Sequence, residues 1–134
     1  MRWLLDTNIL IAALKLNPAV LGRLETIDPG DLVLSPVALG ELELGVVKSR
    51  WSERNRKRLD ALLANVSLAP LDASVARIYG QIRTDLERAG KIIGANDLWI
   101  AAQALSLEST LVTNNVDEFE RVANLRIENW LAEG

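Results

Sequence analysis

The chain of 134 residues contains no histidine and no cysteine, and aromatic residues make up only 4% of it. Without cysteine there is no disulfide framework, no thiol nucleophile and no zinc finger. Without histidine there is no Ser-His-Asp triad, and no imidazole acid/base pair of the kind that cleaves RNA without metal. Long apolar runs are missing as well. None approaches the roughly 18 residues of a membrane span, and the N-terminus reaches Asp6 directly after Trp3-Leu4-Leu5, too soon for a signal peptide. The expectation is a soluble cytoplasmic protein with no membrane partner. Hydrolytic chemistry in such a chain must rest on carboxylates, hydroxyls or amines, with or without a hard metal ion.

What is present fits one globular domain over residues 1–134: 49% hydrophobic and 25% charged, with no repeat or low-complexity linker. Net charge is −3, which does not advertise a nucleic-acid binder. Its distribution is uneven. Residues 48–58 carry six bases (Lys48, Arg50, Arg54, Arg56, Lys57 and Arg58) against Glu53 alone, while the segments on either side are acidic. That run reads either as a solvated helix face or as a phosphate-contacting patch. Clustered carboxylates holding a divalent cation would account for the acidic remainder.

Strands are expected at Arg2–Leu5, Leu32–Leu34, Leu111–Thr113 and Leu125–Ile127, separated by helices. Asp6-Thr7-Asn8 opens the first helix through Leu14, and Asn17-Pro18 opens a second, reaching about Ile27. Ser35-Pro36 starts a third, to about Lys48, and Ser52 caps a fourth with Leu59, Leu62, Leu63 and Val66 inward. Asp72 opens a long fifth helix on the stripe Val75, Tyr79, Ile82, Leu86 and Ala89, closed by Gly90, and a sixth covers Ala95 to Leu105. Strands alternating with helices, without hairpin signals, predict an α/β fold: a short parallel sheet flanked by helices on both faces. Such sheets bind ligands beyond the carboxyl ends of their strands. Asp6-Thr7-Asn8 and Thr113-Asn114-Asn115 fall there.

Several acids could carry chemistry. Asp6 reads as a helix N-cap, a metal ligand or nucleophile, or both. Glu41 and Glu43 interrupt a helix whose apolar side chains surround it, which implies burial on most sides. Periodicity does not choose between them. Asp97 lies on an inward, small-residue face near a helix start, where the dipole also favours it. Asp117, Glu118 and Glu120 read as a charged surface turn or as further ligands. Trp3, Trp99 and Trp130 read as packing residues, and Trp51, inside the basic run, as a possible base-stacking surface. Acids converging from separate segments would repel unless a cation neutralised them, and magnesium or manganese suits such oxygen ligation. A water activated on that cation is the natural nucleophile toward a phosphodiester.

Taken in order, Leu5-Asp6-Thr7-Asn8-Ile9-Leu10, Glu41-Leu42-Glu43-Leu44-Gly45, Ile93-Gly94-Ala95-Asn96-Asp97-Leu98-Trp99 and Leu111-Val112-Thr113-Asn114-Asn115 with Glu118-Phe119 closely resemble a PIN domain, specifically the VapC ribonuclease toxins of toxin–antitoxin pairs. The resemblance implies a single PIN-like α/β domain that cuts RNA endonucleolytically with Mg²⁺ or Mn²⁺. It makes Asp6 and Asp97 metal ligands, and Glu41, rather than Glu43, the acid that orients water or a second ion. Thr7 and Thr113 would support them. Many family members carry Asp where this chain has Asn115, so Asn115 would bond a metal water and Glu118 would supply the missing charge. The resemblance also implies homodimers, a VapB-type antitoxin that blocks the acidic groove, and toxin–antitoxin hetero-oligomers. Lys48, Arg50 and Arg54 would contact RNA, or lie in a protein interface.

Two other classes compete. A PIN-like module that binds RNA without cutting it is suggested by Asn115 in place of an acid. A phosphoaspartate enzyme with Asp6 as nucleophile would want a second acid at position 8, where the chain has Asn8; a receiver domain lacks its acid pair near the first strand.

Overall fold

The computed structural model describes residues 1–131. Its strands are β1 (Trp3–Leu5), β2 (Leu32–Leu34), β3 (Ser67–Leu68), β4 (Thr110–Val112) and β5 (Arg126–Glu128). The helices are α1 (Thr7–Leu14), α2 (Pro18–Glu25), α3 (Pro36–Lys48), α4 (Ser52–Leu63), α5 (Ala73–Arg88), α6 (Ala95–Ser106) and α7 (Val116–Phe119).

Local chemistry starts most of these helices where the sequence suggests. Asn17 Oδ1 accepts from the amides of Ala19 and Val20, Ser35 Oγ from Val37, and Asp72 Oδ1 from Val75. Proline follows Asn17 and Ser35 at the first helical position, where its missing N–H costs nothing. Gly90, at φ +67°, closes α5 in the left-handed region. Ser52 departs from expectation: it is the first residue of α4, and Trp51 occupies the cap position without a side-chain bond. The α2 helix stops at Glu25, and the fourth and fifth strands shift by one residue, leaving Thr113 just beyond β4.

All strand pairs are parallel, in the order β3-β2-β1-β4-β5. The chain steps outward from β1 to β2 and β3, then returns across β1 to β4 and β5. Right-handed crossovers therefore put α1 to α4 on one face and α5 and α6 on the other. The direction of winding reverses between β1 and β4, whose carboxyl ends lie side by side with Leu5 opposite Val112. That reversal opens a crevice above the sheet, the usual ligand position in open α/β folds.

The core is aliphatic: Leu4, Ile9, Leu34, Leu98, Ile100 and Leu111 are fully buried, along with Phe119. Gln103 is the polar exception on α6; its Nε2 donates to Ala69 O at 2.7 Å and Pro70 O at 3.2 Å, tying the end of β3 to the helix layer. On α5, Val75 and Leu86 are buried, Tyr79 and Ile82 half-buried, and Ala89 is exposed. Tyr79 stacks on Trp99 at 3.9 Å between centroids, and Trp130 is buried, so both tryptophans pack as expected. The expectation that α3 is buried on most sides is wrong. Ala38, Leu42 and Val46 face inward, but Leu44 is 54% and Val47 73% exposed, because a single sheet covers only one side of that layer.

Candidate active site

Asp6 sits at the mouth of the crevice and serves two ends at once. As N-cap of α1 its Oδ1 accepts the Thr7 amide at 2.8 Å, and its Oδ2 accepts the Thr113 hydroxyl at 2.8 Å. Thr113 Oγ1 in turn accepts the Asn115 amide at 3.0 Å, so the ends of β1 and β4 are latched through one carboxylate. Burial pushes the Asp6 carboxyl above the ordinary aspartate range; the Thr113 and Thr7 bonds oppose this, and the charges of Glu41 and Glu118 add to it.

Asp97 enters from the first turn of α6. Its carboxyl is pushed up to about 7, first by burial and then by the negative charges of Glu118, Asp6 and Glu41. Glu118, on α7, moves the other way: its Oε1 accepts the Gly94 amide at 2.8 Å and its Oε2 accepts Asn115 Nδ2 at 2.5 Å, and these donors hold its anion. The charge of Glu118 helps raise Asp97, while the donors from Gly94 and Asn115 favour the Glu118 anion, so the two carboxyls are pushed in opposite directions.

Glu41 and Glu43, inseparable by periodicity, separate here. Glu43 forms a two-point ion pair with Arg56 of α4, at 2.8 and 2.5 Å, and faces away from the crevice. Glu41 accepts Asn96 Nδ2 at 3.3 Å and contributes its charge to the Asp6–Asp97 cluster. Four of the candidate acids thus meet electrostatically at the sheet edge, each from a different element, with Thr7, Thr113 and Asn115 beside them. Asp117 and Glu120 are exposed on the surface turn. Lys48, Arg50 and Arg54 do not join the cluster. They lie at the α3–α4 elbow, where Arg50 covers the exposed Trp51 ring at 5.2 Å.

Three further residues lie within the motifs but had no role assigned from sequence. Asn96 steers Glu41, and its only cue is its place one residue before Asp97. Gly94 donates to Glu118, and a Cβ there would lie in ordinary contact with both carboxylates, 3.5 Å from Asp97 Oδ2 and 3.7 Å from Glu118 Oε1. Asn8 Nδ2 bonds Asn114 Oδ1 at 3.2 Å across the crevice mouth, so position 8 holds a bridging amide and not the second acid that phosphoaspartate chemistry requires.

The residues fit a hard divalent cation on three counts. All the donors are oxygen. Burial first, and then mutual repulsion, disfavour the Asp6 and Asp97 anions, and a bound cation would offset both. The Thr7 hydroxyl, beside Asp6, is buried without a hydrogen-bond partner. Among the described residues no three acidic side chains converge tightly enough to enclose an ion by themselves. Magnesium binds through one or two carboxylates and keeps several waters, so it would need only part of this cluster.

The PIN domain family matches residues 3–125. Ribonuclease VapC2 of Rickettsia felis is 41% identical over 132 residues, spanning 97% of this chain and 98% of that protein. The tRNA(fMet)-specific endonuclease VapC of Shigella flexneri is 38% identical over 130 residues, with 97% and 98% covered. Among solved structures, VapBC2 from Rickettsia felis bound to a promoter DNA fragment superposes with a TM-score of 0.92 at 40% identity, covering 97% of this chain and 99% of that one. VapBC-1 from nontypeable Haemophilus influenzae gives 0.89 at 35% identity, covering 98% and 100%.

Proposed function

The chain belongs to the PIN-domain family and is a VapC-type endoribonuclease, and from that premise we propose how its residues cut RNA. PIN-domain nucleases use a divalent cation; here Asp6 and Asp97 would hold Mg²⁺ or Mn²⁺, which lowers the pKa of water and neutralises phosphate charge when bound. Glu41, steered by Asn96, orients the attacking water and takes its proton. The water oxygen bonds to phosphorus as the P–O3′ bond breaks in line, and O3′ takes up a proton from solvent, leaving a 5′-phosphate and a 3′-hydroxyl. Glu118 keeps its anion beside Asp97 through Gly94 and Asn115, and so supplies the charge that Asn115 does not. The observation that carries this reading is the latch of Asp6 to both strand ends, beside Asp97 and the anchored Glu118.

Transfer RNA is the substrate class we assign, on the strength of the relative named for cleaving tRNA(fMet). The partners we assign are a VapB-type antitoxin and a second copy of this chain. Solved relatives are VapBC complexes, and Leu44, Val47 and Trp51 leave an apolar surface that another protein chain would cover. Such a toxin works in the cytoplasm, with its substrate.

On transfer RNA the purified protein should cut nothing in EDTA and regain cleavage with Mg²⁺ or Mn²⁺, giving fragments with 5′-phosphates. Cleavage undiminished by EDTA would overturn the assignment. Thr113→Val should lower the rate roughly 10- to 100-fold, because the support of a metal-binding carboxylate is lost. Thr113→Ser, which keeps the hydroxyl, should restore most of it in the same assay.

A further inference from the structure

Two sets of cations flank the acidic crevice, and the ribonuclease reading leaves both without a role. On the α1 side a groove of about 330 Å³ runs between α1, α3 and α4. Glu41 lines it, Ile11, Leu14 and Val46 contribute its apolar walls, and Lys15 and Arg58 stand among its polar residues. Both cations are exposed, and among the described residues neither forms an ion pair. Arg56, two residues before Arg58, is by contrast pinned to Glu43. Lys15 lies eight residues beyond Thr7, about 12 Å along α1 from the crevice. On the α7 side Arg121 donates to Ile92 O at 3.1 Å, leaving most of its guanidinium free, and its charge helps hold the Glu118 carboxyl down.

We propose that the RNA strand crosses the acidic cluster from Arg121 on one flank to Lys15 and Arg58 on the other, leaving the site along the α1–α3–α4 groove. The scissile phosphate sits over the carboxylates, and phosphates on either side meet these cations. The inference rests on the ribonuclease reading and adds a path to it. Two features favour an RNA occupant: unpaired positive charge along the groove, and direct continuity with Glu41. The basic elbow at Lys48, Arg50 and Arg54 lies outside this path.

The test is steady-state cleavage of a transfer RNA transcript in Mg²⁺ at several salt concentrations. K15Q/R58Q should raise KM several-fold with kcat within about twofold of wild type; R121Q should raise KM as well and, because Arg121 also supports the Glu118 anion, lower kcat. The slope of log(kcat/KM) against log[salt] should become shallower by about 0.7 for each cation removed, a change that a purely structural role would not produce. All three positions are exposed, so folding should be unaffected. An unmoved KM and slope in K15Q/R58Q, with both moved in a K48Q/R50Q/R54Q variant, would overturn the path. So would RNA kinetics left intact while K15Q/R58Q weakens binding of an apolar antitoxin peptide, because the groove would then be a protein site. No cleavage by wild type in Mg²⁺ or Mn²⁺ would sink the ribonuclease reading together with the path.

Discussion

Asp97→Asn is expected to reduce RNA cleavage about a thousandfold or more, and at the same time to make the metal-free protein more stable. The two effects have one cause. Asp97 is held among Glu118, Asp6 and Glu41 in a half-buried site, so its carboxyl ionises only near pH 7, against 3.8 ordinarily. The unfolded chain releases that proton around pH 4 and the folded chain keeps it. Between those values the native state binds more protons, so stability falls as pH rises from about 4 to 7 and the penalty is complete above 7. Glu118, shifted down, works in the opposite sense and offsets part of it. Asn carries no charge and escapes the penalty. Because Asp97 remains partly open to solvent, the gain is discounted to about 1 kcal/mol, a few degrees in Tm for a domain of this size.

Thermal unfolding in EDTA checks this directly. At pH 8 the variant should melt above wild type, and near pH 4 the two should coincide. Adding Mg²⁺ should raise the wild-type Tm and leave Asp97→Asn nearly unmoved, since a ligand stabilises only the state that binds it. A variant that melts below wild type in EDTA at pH 8 would mean that Asp97 holds the fold together, and lost activity would then say nothing about chemistry.

Much of this site was legible because its residues follow local rules. Asp6 is an N-cap wherever a strand turns directly into a helix, and Asn17, Ser35 and Asp72 announce their helices in the same way. The alternation of strands and helices was enough to fix a parallel sheet, and with it the edge where a site belongs. Features that depend on meetings across the fold were not legible. Strand β3 is two exposed residues, Ser67 and Leu68, that become a strand only by pairing with Val33 and Leu34. Helix α7 is a single turn, anchored by buried Phe119 within what reads as a charged loop. The exposed side of α3 could not be foreseen from an apolar sequence, since its periodicity is silent about where the protein ends. Asn96 bonds Glu41 across 55 positions, and no spacing rule spans that distance.

The contrast between Glu41 and Glu43 is the sharpest consequence of such a meeting. Two residues apart on one helix, they point about 200° apart around its axis, so only one can reach the crevice. Arg56 decides which: it takes both oxygens of Glu43 and holds that carboxyl below the ordinary glutamate range. Glu41→Gln keeps the size and the Asn96 contact but removes the group that orients and deprotonates water. Cleavage should fall by about 10²–10⁴, the usual worth of a positioned acid/base group, with Tm essentially unchanged. Glu43→Gln should leave kcat near wild type. Its pair with Arg56 is open to solvent, so stability should change little. Measuring both variants on one RNA separates the roles: comparable losses of kcat would mean that α3 presents its acids differently when RNA is bound, and the assignment of Glu41 alone would fall.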